Sequence, residues 1–311
     1  MIGIDVGGAN LKIVDDNGVH IHYCPLWKNA PLTGLLNQYV TSPDDPASVV
    51  MSGELADCFT SKMEGISFIV DAVRKTFQNA LFYGIDGTFH QCAVPQLAAA
   101  NWLASADYLQ AEYPDAVLLD IGSTTADIIP LTRFETLTGL TDLRRLQKGY
   151  LIYTGMLRGN IATLLQSVTL DDVPTPVSSE YFAASADVHL ILGHITPAQY
   201  GCDTPDNKEK TPEAALRRLA RLVCADLDEI GTAGAYQIAE QFWEKQRELV
   251  CDQVRRVASM CGARRIIAGG IGAHLFSREL GAVDLATELG PAADALPAFS
   301  VREVALRDNY S

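Results

Sequence analysis

Apolar positions in this chain fall into short continuous runs and longer runs of helical spacing. The clearest short run is Val117-Leu118-Leu119, which ends in Asp120; Ile121-Gly122 opens a turn, Ser123, Thr124 and Thr125 fill it, and Ala126-Asp127-Ile128-Ile129-Pro130 leaves. The pattern predicts a buried strand, a tight turn and a return strand. The chain begins with the same device, Ile2-Gly3-Ile4-Asp5-Val6-Gly7-Gly8-Ala9-Asn10-Leu11-Lys12-Ile13-Val14, and turns again at Asp15-Asp16-Asn17-Gly18. Helical spacing over 64–77 (Ile66, Ile69, Val70, Val73, Phe77) predicts a helix. Further helices are expected over 31–40, 95–109, 180–192, 211–227 and 235–260. Strands are expected over 48–51 and 80–85, around Leu151, before Gly269 and over 299–304. Strands and helices alternate in both halves, so the class is α/β. The polar break at Glu112-Tyr113-Pro114-Asp115 gives an N-terminal lobe over 1–114 with the first turn. A C-terminal lobe over 115–311 then carries the second turn and Gly269-Gly270, with a cleft between the lobes.

The turns suit anions. Gly122 lets backbone approach a ligand, turned-in N–H groups form an anion nest, and Ser123, Thr124 and Thr125 can add hydroxyl donors. Asp5, Asp120 and Asp127 would be costly in a core without a cation, a water or a paired partner. Lys12 supplies a mobile cation for a phosphoryl oxygen. With the glycine pair Gly269-Gly270 after a short apolar strand, the three segments resemble the two phosphate loops and nucleotide-side glycines of the acetate kinase/sugar kinase/heat-shock-protein-70/actin superfamily. That resemblance implies two ribonuclease-H-like (actin/sugar-kinase-like) lobes.

Length and charge narrow the partners. A chain of 311 residues matches two domains at roughly 100–200 residues each. Lys+Arg 24 against Asp+Glu 38 gives a net charge of −14, which argues against nonspecific binding to nucleic acid or an anionic membrane. The seven cysteines are scattered with no C-x-x-C pair, as suits reduced thiols in the cytoplasm and not zinc. No secretory leader is expected, and no apolar run is long enough to span a bilayer.

A series of segments is similar to the hydantoinase A/oxoprolinase-related family linked to tetrahydromethanopterin-dependent one-carbon transfer. They include Val50 to Asp57, Lys62-Met63-Glu64-Gly65, Ala98 to Ala104, Asp120 to Pro130, Gly139 to Asp142, Tyr153-Thr154-Gly155 and Arg218 to Cys224. The family's characterised activity is a synthase of methanofuran biosynthesis. The resemblance implies an alkyl/aryl transferase that joins (aminomethyl)furanmethyl diphosphate to the phenol of a γ-glutamyl-tyramine- or tyrosine-type acceptor, releasing diphosphate. On this reading Asp5, Asp120 and Asp127 hold Mg²⁺, while Lys12 and the turn N–H groups at Gly7, Gly8, Asn10, Gly122, Ser123, Thr124 and Thr125 take the diphosphate. Glu54 or Lys62 handles the phenolic proton, and Lys208 or Lys210 reaches the substrate. The alternatives are an ATP-dependent phosphotransferase or ring-opening enzyme, with ATP at Gly269-Gly270, and a nucleotide-gated scaffold. A homodimer is left open. Elsewhere the chain reads as ordinary structure. Glu54 and Asp57 suit a turn cap, Trp102 suits a core, and Arg144-Arg145 and Arg217-Arg218 suit solvated helix faces. His20 and His22 are expected to face solvent, and 201–210 to form a mobile flap.

Overall fold

The computed structural model describes residues 1–309. In its first half the strands are β1 (Ile2–Val6), β2 (Asn10–Asp15), β3 (Gly18–Tyr23), β4 (Ala47–Met51), β5 (Leu81–Tyr83) and β6 (Phe89–His90). They form a sheet in the order β3-β2-β1-β4-β5-β6. Helices α1 (Leu32–Leu36), α2 (Lys62–Arg74) and α3 (Asn101–Leu109) connect them. The second sheet contains β7 (Ala116–Ile121), β8 (Ala126–Pro130) and β9 (Leu151–Ile152), while β10 (Ser167–Leu170) and β11 (Val173–Pro176) form a separate hairpin. It is completed by β12 (Arg265–Gly269) and β13 (Val283–Asp284), in the order β13-β12-β7-β8-β9. The remaining helices are α4 (Asp142–Lys148), α5 (Ser185–Ile191), α6 (Pro212–Arg221), α7 (Leu227–Cys261), α8 (Ala273–Leu280), α9 (Ala286–Leu289) and α10 (Leu296–Asn309).

The sheets share one topology. Three consecutive strands pair antiparallel (β1-β2-β3; β7-β8-β9), and two later strands add in parallel beside the first (β4, β5; β12, β13). This is the ribonuclease-H-like order, present twice. Val117, Leu118 and Leu119 are fully buried because β7 is covered on both faces, which explains an apolar run without alternation. The strand Ile267, the first-sheet Val50, Trp102 of α3 and Val301 of α10 share one apolar cluster, so α3 and α10 fill the space between the sheets. The chain thus ends where it began: α10 packs on β1, β4 and α3.

Several elements differ from the sequence expectation. The 299–304 stretch is part of helix α10, not a strand; Val301, Val304 and Ala305 recur at helical spacing on its buried side. A short run rich in valine and phenylalanine has no periodicity that separates the two cases. The 95–109 helix is a short 3₁₀ turn, Pro95–Leu97, followed by α3, because Ala98 is extended and Ala99 takes φ 48°. The 211–227 helix stops at Arg221, and α7 starts at Leu227 on an Asp226 cap, bent where Gly231 adopts φ 65°. His20 and His22 lie against the Tyr39 ring, leaving Ile21 and Tyr23 as the exposed residues of that strand. The 201–210 segment is not a free flap. Thr204 Oγ1 accepts from the Lys208 N–H at 2.9 Å, and Asp206 receives Arg218 at 3.1 Å and Arg221 at 3.2 Å.

Candidate functional site

The two Asp-Gly hairpins are built alike. Gly7 N–H donates to the Asn10 carbonyl and Gly122 N–H to the Thr125 carbonyl, both at 2.9 Å. In register, Asp5 faces Lys12 and Asp120 faces Asp127. The hairpins also meet each other electrostatically. Burial pushes the Asp5 carboxyl up to about 6; Lys12 works against that and Asp127 adds to it. Burial likewise pushes Asp120 up to about 7, with Lys12 opposing and the charges of Asp127, Asp5 and Asp294 adding. The fold therefore brings together Asp5, Lys12, Asp120 and Asp127, and adds Asp294 from the 3₁₀ segment Gly290–Ala295, which sequence reasoning did not single out. Asp5 is 5% exposed, and its Oδ1 has no hydrogen-bond partner.

Close backbone contacts hold the turns. Ser52 and Gly53 donate to the Val6 carbonyl at 3.0 and 3.1 Å, and a Cβ at Gly53 would lie 2.8 Å from the Gly7 carbonyl oxygen. A Cβ at Gly155 would fall 2.6 Å from the Thr124 backbone. Behind Gly155, Gln246 donates to its carbonyl at 3.0 Å and to Thr154 Oγ1 at 2.9 Å, with His189 Nε2 2.9 Å from the amide oxygen. Burial drives His189 down to about 3, so this support is neutral. Gly269 stands beside Asp120 in the sheet, and Gly270 has φ 82°. A Cβ at Gly270 would sit 2.5 Å from Asp120 Oδ1, so this glycine makes room for the carboxylate.

Arg145 corrects a sequence reading. It is 2% exposed, not solvated. Thr141 caps α4, which sets Asp142 and Arg145 three residues apart on one face. Arg145 donates to Asp142 at 2.7 Å and to Asp127. Its guanidinium lies 4.3 Å from the Trp102 ring centroid. Asp127 is thus held by an arginine, and among the described residues no three His, Cys, Asp or Glu side chains form a ready-made metal cage. Asp5, Asp120 and Asp294 of this cluster have no arginine beside them among the described residues. Arg218 is likewise fully buried, paired with Asp187 at 2.7 Å and with Asp206. A sequence shows these arginines only as charges on amphipathic helices.

Glu54 is not a cap. It is 2% exposed and burial pushes it to about 6, opposed by Lys62 and by the Ala99 N–H. Ser61 caps α2 instead, accepting from the Glu64 N–H, while Glu64 takes the Thr60 N–H at 2.7 Å. Lys62, half-exposed, opens that helix beside Glu54. Lys208 is exposed and Lys210 lies 5.7 Å over the Tyr200 ring. Nearby the lobes are bridged: Lys28 and Tyr23 bind Asp203 at 2.7 and 2.6 Å, and Arg158 stacks 4.6 Å from Trp27.

Two ribonuclease-H-like lobes, each offering an Asp-Gly hairpin to the other, define the class of actin and the sugar kinases. Within it, the hydantoinase/oxoprolinase family model matches residues 45–291, and the chain belongs to that family. A relative from Methanocaldococcus jannaschii is 36% identical over 292 residues, covering 90% of this chain and 88% of its own. It is named (4-{4-[2-(γ-L-glutamylamino)ethyl]phenoxymethyl}furan-2-yl)methanamine synthase. A Methanococcus vannielii protein of the same name is 35% identical over 166 residues, covering 53% of this chain and 75% of its own. Among solved structures, nucleotide-free acetone carboxylase, from work on ATP-dependent acetone carboxylation, superposes with a TM-score of 0.52. It is 11% identical over 96% of this chain and 69% of that one, a likeness of fold alone. Among the described residues, no helix is long and apolar enough to cross a membrane.

Proposed function

We propose that this chain catalyses the ether-forming step for which its relatives are named: a γ-glutamyltyramine phenol is joined to a furan methylene, with diphosphate leaving. The observation that carries this reading is the 36% identity to the M. jannaschii synthase along 90% of the chain. The product in that name contains an aryl–O–CH₂–furan linkage, so the phenol oxygen is the natural nucleophile and the furan methylene the electrophile. The C–O bond to diphosphate breaks with its electron pair going to the leaving group, while a phenol lone pair forms the new bond. The furan ring spreads the positive charge that develops on its methylene. The protein's work is then to hold a departing anion and aim a phenol.

The residues suit that task. Lys12 neutralises a diphosphate oxygen, and the N–H groups of Gly8, Asn10, Ser123, Thr124 and Thr125 form the nest around it; those of Gly7 and Gly122, expected to join them, are spent closing the turns. Asp5 and Asp120 would repel diphosphate if left bare. The burial that disfavours their bare anions and the partnerless Asp5 Oδ1 fit a Mg²⁺ ion held by these two carboxylates. When bound, that ion would supply neutralising charge to the phosphate oxygens. Glu54 takes the phenolic proton. Burial makes it a stronger base than an ordinary carboxylate, yet it stays ionised at neutral pH. The seven unpaired cysteines accord with a reducing, cytoplasmic setting.

The test is to incubate the purified protein and Mg²⁺ with (aminomethyl)furanmethyl diphosphate and γ-glutamyltyramine. The reading predicts the ether by mass spectrometry and diphosphate release that requires the phenol. ADP formation from ATP without ether would instead place the chain with the ATP-dependent members of its fold class.

A further inference from the structure

Three residues at this site carry side-chain atoms that are buried and have no hydrogen-bond partner: Trp102 Nε1, Arg145 Nε and Glu54 Oε2. They belong to one neighbourhood. Arg145 stacks on Trp102 at 4.3 Å and grips Asp142, whose charge is felt by Glu54. The Ala99 amide, three residues before Trp102, also acts on the Glu54 carboxyl, holding it down against burial. Such atoms are costly to leave unpaired, so three in one place call for a ligand. The set is two N–H donors and one carboxylate acceptor. A phenol has the complementary inventory, with two lone pairs to accept and one O–H to donate.

We propose that Trp102, Arg145 and Glu54 form the seat of the acceptor's phenol oxygen. This rests on the ether-forming reading and assigns its nucleophile a place. Arg145 cannot turn away, because its two terminal nitrogens are committed to Asp127 and Asp142. Its Nε–H and the indole N–H hold the oxygen, and Glu54 takes the proton as the oxygen attacks carbon. The indole, unable to accept a hydrogen bond, favours oxygen over an amine at this point. The seat adjoins both hairpins: Gly53 packs on Gly7 beside it, and Asp127, the partner of Arg145, faces Asp120.

Trp102→Phe keeps an aromatic ring under Arg145 and deletes one N–H, so it is the variant of choice. We expect its acceptor KM to rise by about tenfold with the donor KM unchanged, in line with loss of one hydrogen bond to the bound phenol. Calorimetric titration of the wild-type protein with γ-glutamyltyramine and with its O-methyl ether should show about tenfold weaker binding of the ether, which has no O–H to donate. Equal binding of the two, or an unchanged acceptor KM in a folded Trp102→Phe protein, would overturn the seat. Should that variant not fold, the wild-type comparison decides. A wild-type protein that makes no ether at all would refute the reaction instead. Ether formation that is indifferent to Trp102 would refute only the seat.

Discussion

Lys12 stands in the first hairpin where Asp127 stands in the second. The registers Asp5–Lys12 and Asp120–Asp127, and the matching 2.9 Å turn hydrogen bonds, make the two hairpins copies of one device with opposite charge at one position. Only Lys12 offers a cation from these strands to a departing phosphate. Lys12→Met should therefore lower kcat/KM for the furan diphosphate by about a hundredfold or more, as for removal of a group that stabilises transition-state charge. The acceptor KM should stay where it was. Steady-state kinetics with each substrate varied in turn separates the two, and a loss below about threefold would remove Lys12 from the leaving-group role.

Asp127 owes its place to Arg145. Removing the arginine leaves a part-buried carboxylate unpaired, so Arg145→Met should cost up to about 3 kcal/mol of stability. Removing both charges together, as Arg145→Met with Asp127→Leu, should recover much of that loss. Urea unfolding of the two single variants and the double variant gives the coupling directly. Additive losses would mean that Asp127 has another partner of equal weight.

Much of this site was legible before the fold was known, and the rest was hidden for definite reasons. The hairpins announce themselves because a strand, a glycine turn and a return strand are local, and Asp5, Lys12, Asp120 and Asp127 ride on them. The role of Gly270 was only half visible: the sequence shows a glycine after a strand, but not the Asp120 oxygen 2.5 Å from where its Cβ would be. Arg145 was invisible as a site residue. Its partners Asp127 and Trp102 are 18 and 43 positions away, and on its own helix it reads as one of two adjacent surface arginines. The strand assigned to 299–304 failed because a short apolar stretch fits either period until its neighbours are known. The doubling of one sheet topology could be inferred from repeated hairpins, whereas the return of α10 to the first sheet leaves no local mark.

Glu54 gives a pH signature with a fixed sign. Its carboxyl lies at about 6 in the fold against an ordinary 4.5, with burial the main cause. The native state then binds this proton more tightly than the unfolded chain does. Its contribution to stability is complete below about pH 4.5 and is lost as the pH rises through 6. Activity runs the other way, since the base must be ionised. At saturating Mg²⁺, which would keep Asp5 and Asp120 ionised, kcat/KM should climb about tenfold per pH unit up to about pH 6 and then level off. Glu54→Gln should abolish that limb along with most turnover, while lessening the fall in urea stability between pH 4.5 and 6, the remainder coming from Asp5 and Asp120. A pH profile left intact in Glu54→Gln would assign the proton to another group.

The central claim is that two facing hairpins jointly hold a magnesium-bound diphosphate. Isothermal titration of diphosphate into the protein, with and without Mg²⁺ and in the Asp5→Asn and Asp120→Asn variants, tests it most directly. The account predicts one site whose occupation requires Mg²⁺ and is lost when either carboxylate becomes an amide. Diphosphate that binds equally well without the ion, or in both variants, would contradict it.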